Sequence, residues 1–319
     1  MEVCKLLQNT KLINILRKEP LIVIDVGSSW YHKNFWEDFA KVDRSVLRYI
    51  GFDPQKSNFS FNKNFDSIYI DKALYKKPGK IKFYYTKNPQ CSSILEPNLN
   101  FLKDYTNYED FQIVNTELIE ADTLSNQLKL YNFVDVDFIK LDTQGSELFI
   151  LQGAEKFLDK VVAIEIEAEF KPIYKNQPLF CDVDNFLRKN YFDIFDLRRI
   201  YWKRVKFLNT PNYKGELIWG EAVYFKNLNY IKKLGETKLL KAALLALVYK
   251  KYDYALKLIE DSLYFPDIGL LFEQIKINKF HIPNFKGRYR LSKILNMILG
   301  TFKYNYKNGN YNDLELTDE

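Results

Sequence analysis

The chain has 319 residues, 47% of them apolar and 28% charged, and a net charge of +6 from 47 basic and 41 acidic side chains. That balance excludes a disordered chain, a collagen and a disulfide-stapled miniprotein, and the length suits about two domains of ~150 residues. No apolar run reaches the roughly 18 residues that a membrane-spanning helix needs. The three cysteines, Cys4, Cys91 and Cys181, are odd in number and far apart, so neither a disulfide frame nor a zinc site is expected. The first twenty residues mix charge with apolar side chains and lack the core and cleavage site of a signal peptide, which makes the cytoplasm the expected compartment.

In chain order, Leu21 to Val26 (LIVIDV) is a short apolar run that ends at Gly27. It reads as a buried parallel strand running into a ligand-facing loop. Arg48 to Asp53 (RYIGFD) repeats the pattern and is closed by Pro54, which cannot continue a central strand. Ser67 to Ile70, Val136 to Asp142 and Val161 to Glu167 read as further strands. Between the last two, Leu148, Ile150, Leu151, Ala154, Phe157 and Leu158 have helical spacing across Glu147 to Lys160. Strands alternating with helices give an α/β fold with a parallel sheet. Two more strands are expected at Phe192 to Trp202 and Gly215 to Phe225.

Past about Lys232 the texture changes. Lys238 to Lys251 and Asp253 to Leu263 read as two helices, similar to one short tetratricopeptide-type hairpin. A solenoid needs about three such repeats, so the hairpin is expected to cap the first domain or to make a homodimer contact. After Lys286 comes a basic amphipathic segment, then a polar, acidic tail expected to be disordered. The organisation expected is 1–228 for the α/β domain, 229–305 for a helical extension and 306–319 for the tail.

Three places carry chemistry. Asp25, Gly27 and Ser28 form the loop after the first strand, where glycine permits a tight turn and close approach of a ligand. The missing second and third glycines argue against a dinucleotide site. Asp53, at the end of the second strand, can hold both hydroxyls of a ribose. The third is VDFIKLDTQGSELFILQGA, Val136 to Ala154. Lys140 lies inside an apolar strand, so it must meet an acid or open onto a site. Asp25, Glu165 and Glu167 are the acids expected beside it. Asp142 ends the strand at the edge where α/β sheets bind ligands. Gln144 lies in the turn and Glu147 in the first turn of the helix, where an acid also simply favours the positive helix end. Farther on, RRIYWKR (Arg198 to Arg204) can supply Arg199 and Trp202 to an acceptor. Arg binds phosphate bidentately and aromatic faces stack on sugars. A solvated strand rim is the plainer reading of the basic run, and attraction to the inner face of a membrane is another.

Val136 to Ala154 resembles the FkbM-type methyltransferases. The resemblance extends to IDVGSSW at the first loop, YIGFDP at the second strand, CSSILEP at Cys91 to Pro97, IEIEAEFKPIYKNQP at Ile164 to Pro178 and GELIWGEAVYF at Gly215 to Phe225, about residues 18 to 228 in all. It implies a class I, Rossmann-like fold: a mostly parallel seven-stranded sheet with helices on both faces, followed here by the α-helical extension. It also implies transfer of a methyl group from S-adenosylmethionine to a hydroxyl of a sugar, in a surface glycan, nucleotide-linked sugar or related metabolite. Asp25, Gly27 and Ser28 would then surround the methionine part, Asp53 the ribose, and Asp71 and Ala73 the adenine. The catalytic candidates are Asp142, Glu167, His32 and Lys140, with Glu147 and Glu165 as further bases. Gln144, Glu147, Glu165, Tyr174, Arg199 and Trp202 are expected to meet the acceptor, which could be phosphorylated. A divalent metal could bind the converging oxygens, but nothing in the spacing demands one and no ligand is assigned. No nucleic-acid partner is expected. The competing readings are a nucleotide-dependent sugar-modifying enzyme and a binding protein that kept the fold without the activity.

Overall fold

The computed structural model describes residues 7, 10–28, 34–55, 66–209, 214–278 and 310–312. Three parallel strands open the fold: β1 (Leu21–Val26), β2 (Leu47–Phe52) and β3 (Asp66–Ile70). The chain then leaves this sheet for a separate one, made by β4 (Ala73–Leu74), β5 (Gly79–Thr86) and β6 (Ile113–Asp122) in the order β4-β6-β5. It returns with β7 (Phe138–Leu141) and β8 (Ala163–Glu169), both parallel to β1. β9 (Phe192–Trp202) and β10 (Glu216–Lys226) close the series, with β10 antiparallel to both β8 and β9. The main sheet runs β9-β10-β8-β7-β1-β2-β3, and β11 (Asn310–Asn312) adds an eighth, three-residue edge strand beside β9. This is the mostly parallel α/β sheet expected. The edge strand falls within the tail for which disorder was expected; the rest of that tail and the basic segment before it lie outside the described residues.

Alternate residues along each central strand feed two different cores, which is why β1, β7 and β8 read as near-continuous apolar runs. One face carries Ile24, Ile139, Ile164 and Ile166. It packs on α3 (Leu124–Leu130), α4 (Glu147–Gln152) and α5 (Phe180–Lys189). The opposite face carries Val23, Phe138 and Val223, and it is covered by α1 (Leu12–Lys18) and α2 (Phe35–Val42). Three C-terminal helices share that core: α6 (Glu236–Val248), α7 (Tyr252–Ile259) and α8 (Phe265–Asn278). Every residue of α6 from Lys238 to Leu247 is buried, as a helix inside a core must be.

The single helix expected over Glu147 to Lys160 is interrupted. α4 stops at Gln152 and a new turn starts at Glu155. Gly153 lies between the two turns, where a Cβ would come within 2.6 Å of the Tyr75 carbonyl oxygen, so the chain passing there requires glycine.

Candidate active site

The parallel strands all end on one side of the sheet, and their loops meet there. Gly27 has a φ of +88°, and a Cβ on it would lie 1.8 Å from the Asp142 carbonyl oxygen. Only glycine lets the β1 loop touch the β7 loop this closely. The Gly27 N–H donates to Phe52 O at 2.9 Å and the Asp142 N–H to Val26 O at 3.0 Å, so three strand ends are tied together.

Around this junction lies a cavity of about 540 Å³, within the usual range of small-molecule sites. Its lining includes Gly27, Asp53, Ala73, Lys140, Asp142, Gln144, Glu165, Glu167 and Trp202, each a site residue expected from sequence. The six other expected residues within the described segments lie elsewhere. Asp25 is buried at one end of the charged floor, and Ser28 turns its hydroxyl toward Gly51 of the neighbouring strand. Asp71 is exposed beside the lining Lys72, and Glu147 turns into the Thr143–Gly145 loop. Tyr174 stands behind Gln144, and Arg199 is exposed on the opposite face of β9. His32 lies outside the described residues.

The floor is a row of charges set by strand register. Asp25 faces Lys140, and Lys140 faces Glu165. Lys140 Nζ lies 3.6 Å from Glu165 Oε1, so the buried cation has the partner its position demands. Burial alone would lower the Lys140 ammonium, but Glu165, Asp25 and Asp142 outweigh it and hold its pKa up. Burial pushes the Asp25 carboxyl up to about 6, opposed by Lys140 and by the Tyr49 hydroxyl, which donates to Oδ2 at 2.8 Å.

One residue pair higher, Gln144 organises the carboxylates. Its backbone is left-handed, with a φ of +59°, an uncommon conformation for a side-chain-bearing residue and a source of strain at functional sites. The Ser93 hydroxyl holds that turn by donating to Gln144 O at 2.8 Å, which is where the CSSILEP segment enters the site. The Gln144 amide donates to Asp142 Oδ1 at 3.1 Å and to Glu167 Oε1 at 3.0 Å. Tyr174, from the Ile164 to Pro178 segment, lies 3.0 Å from Gln144 Oε1 and 2.9 Å from Cys91 O. Burial and the neighbouring Asp142 raise Glu167 well above the ordinary carboxylate range. Glu147 accepts from the Thr143 N–H at 2.6 Å and the Gly145 N–H at 3.3 Å, so it staples the turn from behind.

Sequence reading missed several lining residues, among them Arg198, Trp219, Glu221 and Tyr249. Arg198 and Trp202 share one face of β9 by two-residue alternation, and Glu221 stands opposite Arg198. The Arg198 Nε donates to Glu221 Oε2 at 3.0 Å. The signal for Arg198 over Arg199 was therefore present, once Trp202 was placed in the site. Tyr249 had none, since its hydroxyl meets Glu165 across 84 residues of sequence. Among the described residues, no group of three or more His, Cys, Asp or Glu is placed to hold a metal ion, and no helix is long and apolar enough to cross a membrane.

No curated protein matches the sequence. Among solved structures, the chain is similar to magnesium protoporphyrin IX methyltransferase from Synechocystis PCC 6803 with bound SAM, at 12% identity and a TM-score of 0.26, covering 69% of this chain and 80% of that one. It is also similar to the tRNA methyltransferase TrmK from B. subtilis, at 9% identity and a TM-score of 0.27, covering 84% and 97%. At 9% identity, an uncharacterized protein from Listeria monocytogenes serotype 4b gives a TM-score of 0.28 and the same coverages of 84% and 97%. Residues 25–194 match the family model described as the methyltransferase FkbM domain. That span is just over half of the sequence and contains the Gly27, Asp53, Asp142 and Gln144 loops, and the chain belongs to the FkbM methyltransferase family.

Proposed function

We propose that the chain is an O-methyltransferase that uses S-adenosylmethionine and acts on a sugar hydroxyl. The observation that carries the reading is the convergence of Gly27, Asp53 and Asp142 on one cavity with an acid-rich floor. The residues suit the cofactor's parts. Gly27 leaves backbone rather than side chain at the loop, and the carboxylates of Asp142, Glu165 and Glu167 complement a cation. Asp53 is buried at the strand end, with one oxygen accepting from the Gln55 N–H at 2.7 Å. Phe52, Leu74 and Ile150 give the same cavity an apolar side suited to a flat base. When bound, the cofactor supplies an electrophilic methyl group on a sulfonium.

The chain's own work is to bind, align and accept a proton. Alignment of reactants can lower a barrier by about 7–11 kcal/mol. Trp202 and Trp219 offer aromatic faces to a sugar ring beside the Arg198–Glu221 pair. Glu167, raised by burial and held by the Gln144 amide, takes the hydroxyl proton; a carboxylate tuned upward is the better base. The Arg198 guanidinium is already engaged by Glu221, so an uncharged sugar suits this wall better than a phosphorylated one.

Calorimetry with S-adenosylmethionine, followed by label transfer from its methyl group to a panel of sugar acceptors, tests the reading. Saturable binding and labelled glycoside are expected, and Asp53→Ala should weaken binding by about 1.5–3 kcal/mol, the worth of hydrogen bonds to a charged group. No heat of binding in the wild-type chain, or an affinity indifferent to Asp53→Ala, would remove it.

A further inference from the structure

We propose that Tyr249 is a positioning residue of this site, so that α6, outside the matched residues 25–194, is a working part of the methyl-transfer machinery. The inference rests on the methyltransferase reading. Tyr249 is the residue that caps the C-terminal end of α6, and it lines the cavity from there. Its ring is wedged among Phe35 at 5.8 Å, Phe138 at 6.1 Å and Phe225 at 6.2 Å between centroids, which fixes its direction. The hydroxyl donates to Glu165 Oε2 at 2.6 Å. The other oxygen of that carboxylate is the one 3.6 Å from Lys140 Nζ.

At the far end of the same row, the Tyr49 hydroxyl donates to Asp25 at 2.8 Å. The floor is thus a phenol, a carboxylate, an ammonium, a carboxylate and a phenol in line, with each phenol holding the outer side of an acid. Burial keeps both phenols protonated well past neutral pH, so both remain donors. A carboxylate gripped from one side by a phenol and from the other by an ammonium cannot turn toward the acceptor. Glu165 is therefore fixed in the floor, and it seats Lys140 below Asp142. Without the Tyr249 hydroxyl, a buried carboxylate oxygen loses its donor, and the ammonium loses its fixed partner.

The test uses the full chain with Tyr249→Phe, Glu165→Gln and the double variant. Phenylalanine keeps the packing among the three rings and removes only the donor. One readout is the slowly exchanging ammonium N–H signal of Lys140 in lysine-labelled protein, identified by its loss in Lys140→Met. The other is affinity for S-adenosylmethionine by calorimetry. We expect Tyr249→Phe to keep a cooperative unfolding transition while the Lys140 signal shifts or broadens away. Affinity should fall about tenfold, and the double variant should bind no more weakly than Glu165→Gln alone. An unchanged Lys140 signal with unchanged affinity, or losses that multiply in the double variant, would overturn the proposal. If the wild-type chain binds no S-adenosylmethionine, the functional reading falls, and the Lys140 signal in Tyr249→Phe still decides whether this phenol holds the row.

Discussion

Glu147 shows how a carboxylate can serve a site without facing it. Burial raises its pKa from 4.5 to about 7, against the hydrogen bonds it accepts from the turn. Between those values the folded chain keeps a proton that the unfolded chain has released. Stability therefore falls as pH rises through this window and levels off above about 7. The full effect is on the order of 3 kcal/mol. Glu147→Gln keeps an oxygen for the Thr143 and Gly145 N–H groups but cannot titrate. The variant should gain on the wild type as pH rises from about 5 to about 8, measured by denaturant unfolding of both. Asp25 titrates in both proteins and cancels from the difference. A stability gap that does not change with pH would show that Glu147 is not the group responsible. At this scale sequence was informative about residue type and less so about direction. Asp53, Lys140 and Asp142 were legible because each interrupts or ends an apolar run. Arg198 and Arg199 are adjacent and identical in composition, and only the face of β9 tells them apart.

Among the elements, α6 is held by an ionic cluster at the opposite end from Tyr249. Asp137, fully buried just before β7, accepts from Lys238 Nζ at 2.6 Å, Lys241 Nζ at 2.8 Å and the Ile22 N–H at 2.8 Å. Lys238 also reaches Asp135 at 2.7 Å, and Lys241 the Pro20 carbonyl at 2.9 Å. Removing one member of a buried ion pair leaves an uncompensated charge and costs about 3–5 kcal/mol. Asp137→Ala, at the other end of β7 from Asp142, should lose that much unfolding free energy in a urea titration; a loss below about 1 kcal/mol would mean the lysines find solvent instead. The two helices were readable from spacing, whereas the partner of Lys238 and Lys241 lies 101 to 104 residues away and leaves no local trace. The β4–β6 sheet was missed for a related reason. Val114 and Leu118 of β6 are about two-thirds exposed, so its apolar side chains mark no buried face and give no alternation of the usual kind.

For the whole molecule, the parallel sheet was legible and the roof over one sheet face was not. Five apolar runs, each ending near an acid or glycine, were enough to assemble a parallel sheet with its loops on one side. Nothing in those runs says which helices cover which face. The face carrying Val23, Phe138, Val223 and Phe225 is covered in large part by Leu240, Leu244, Leu247, Leu258 and Leu271 of the three C-terminal helices. Each such side chain is worth about 1.5–3 kcal/mol when fully buried, which over these five leucines is comparable to the roughly 5–15 kcal/mol that stabilises a typical domain. A chain ending at residue 228 would expose that face as a large apolar patch and strand Asp137 without its lysines. Such a fragment should aggregate or show secondary structure with no sharp aromatic circular dichroism and no cooperative melt. A chain ending at residue 278 should keep both. The comparison needs only soluble yield, near-ultraviolet dichroism and a thermal scan of the two fragments. Cooperative melting of the 1–228 fragment would make the C-terminal helices a separate unit after all. Its failure beside a folded 1–278 chain would place them inside the catalytic domain, since the same apolar contacts that roof the sheet also hold Tyr249 against Glu165.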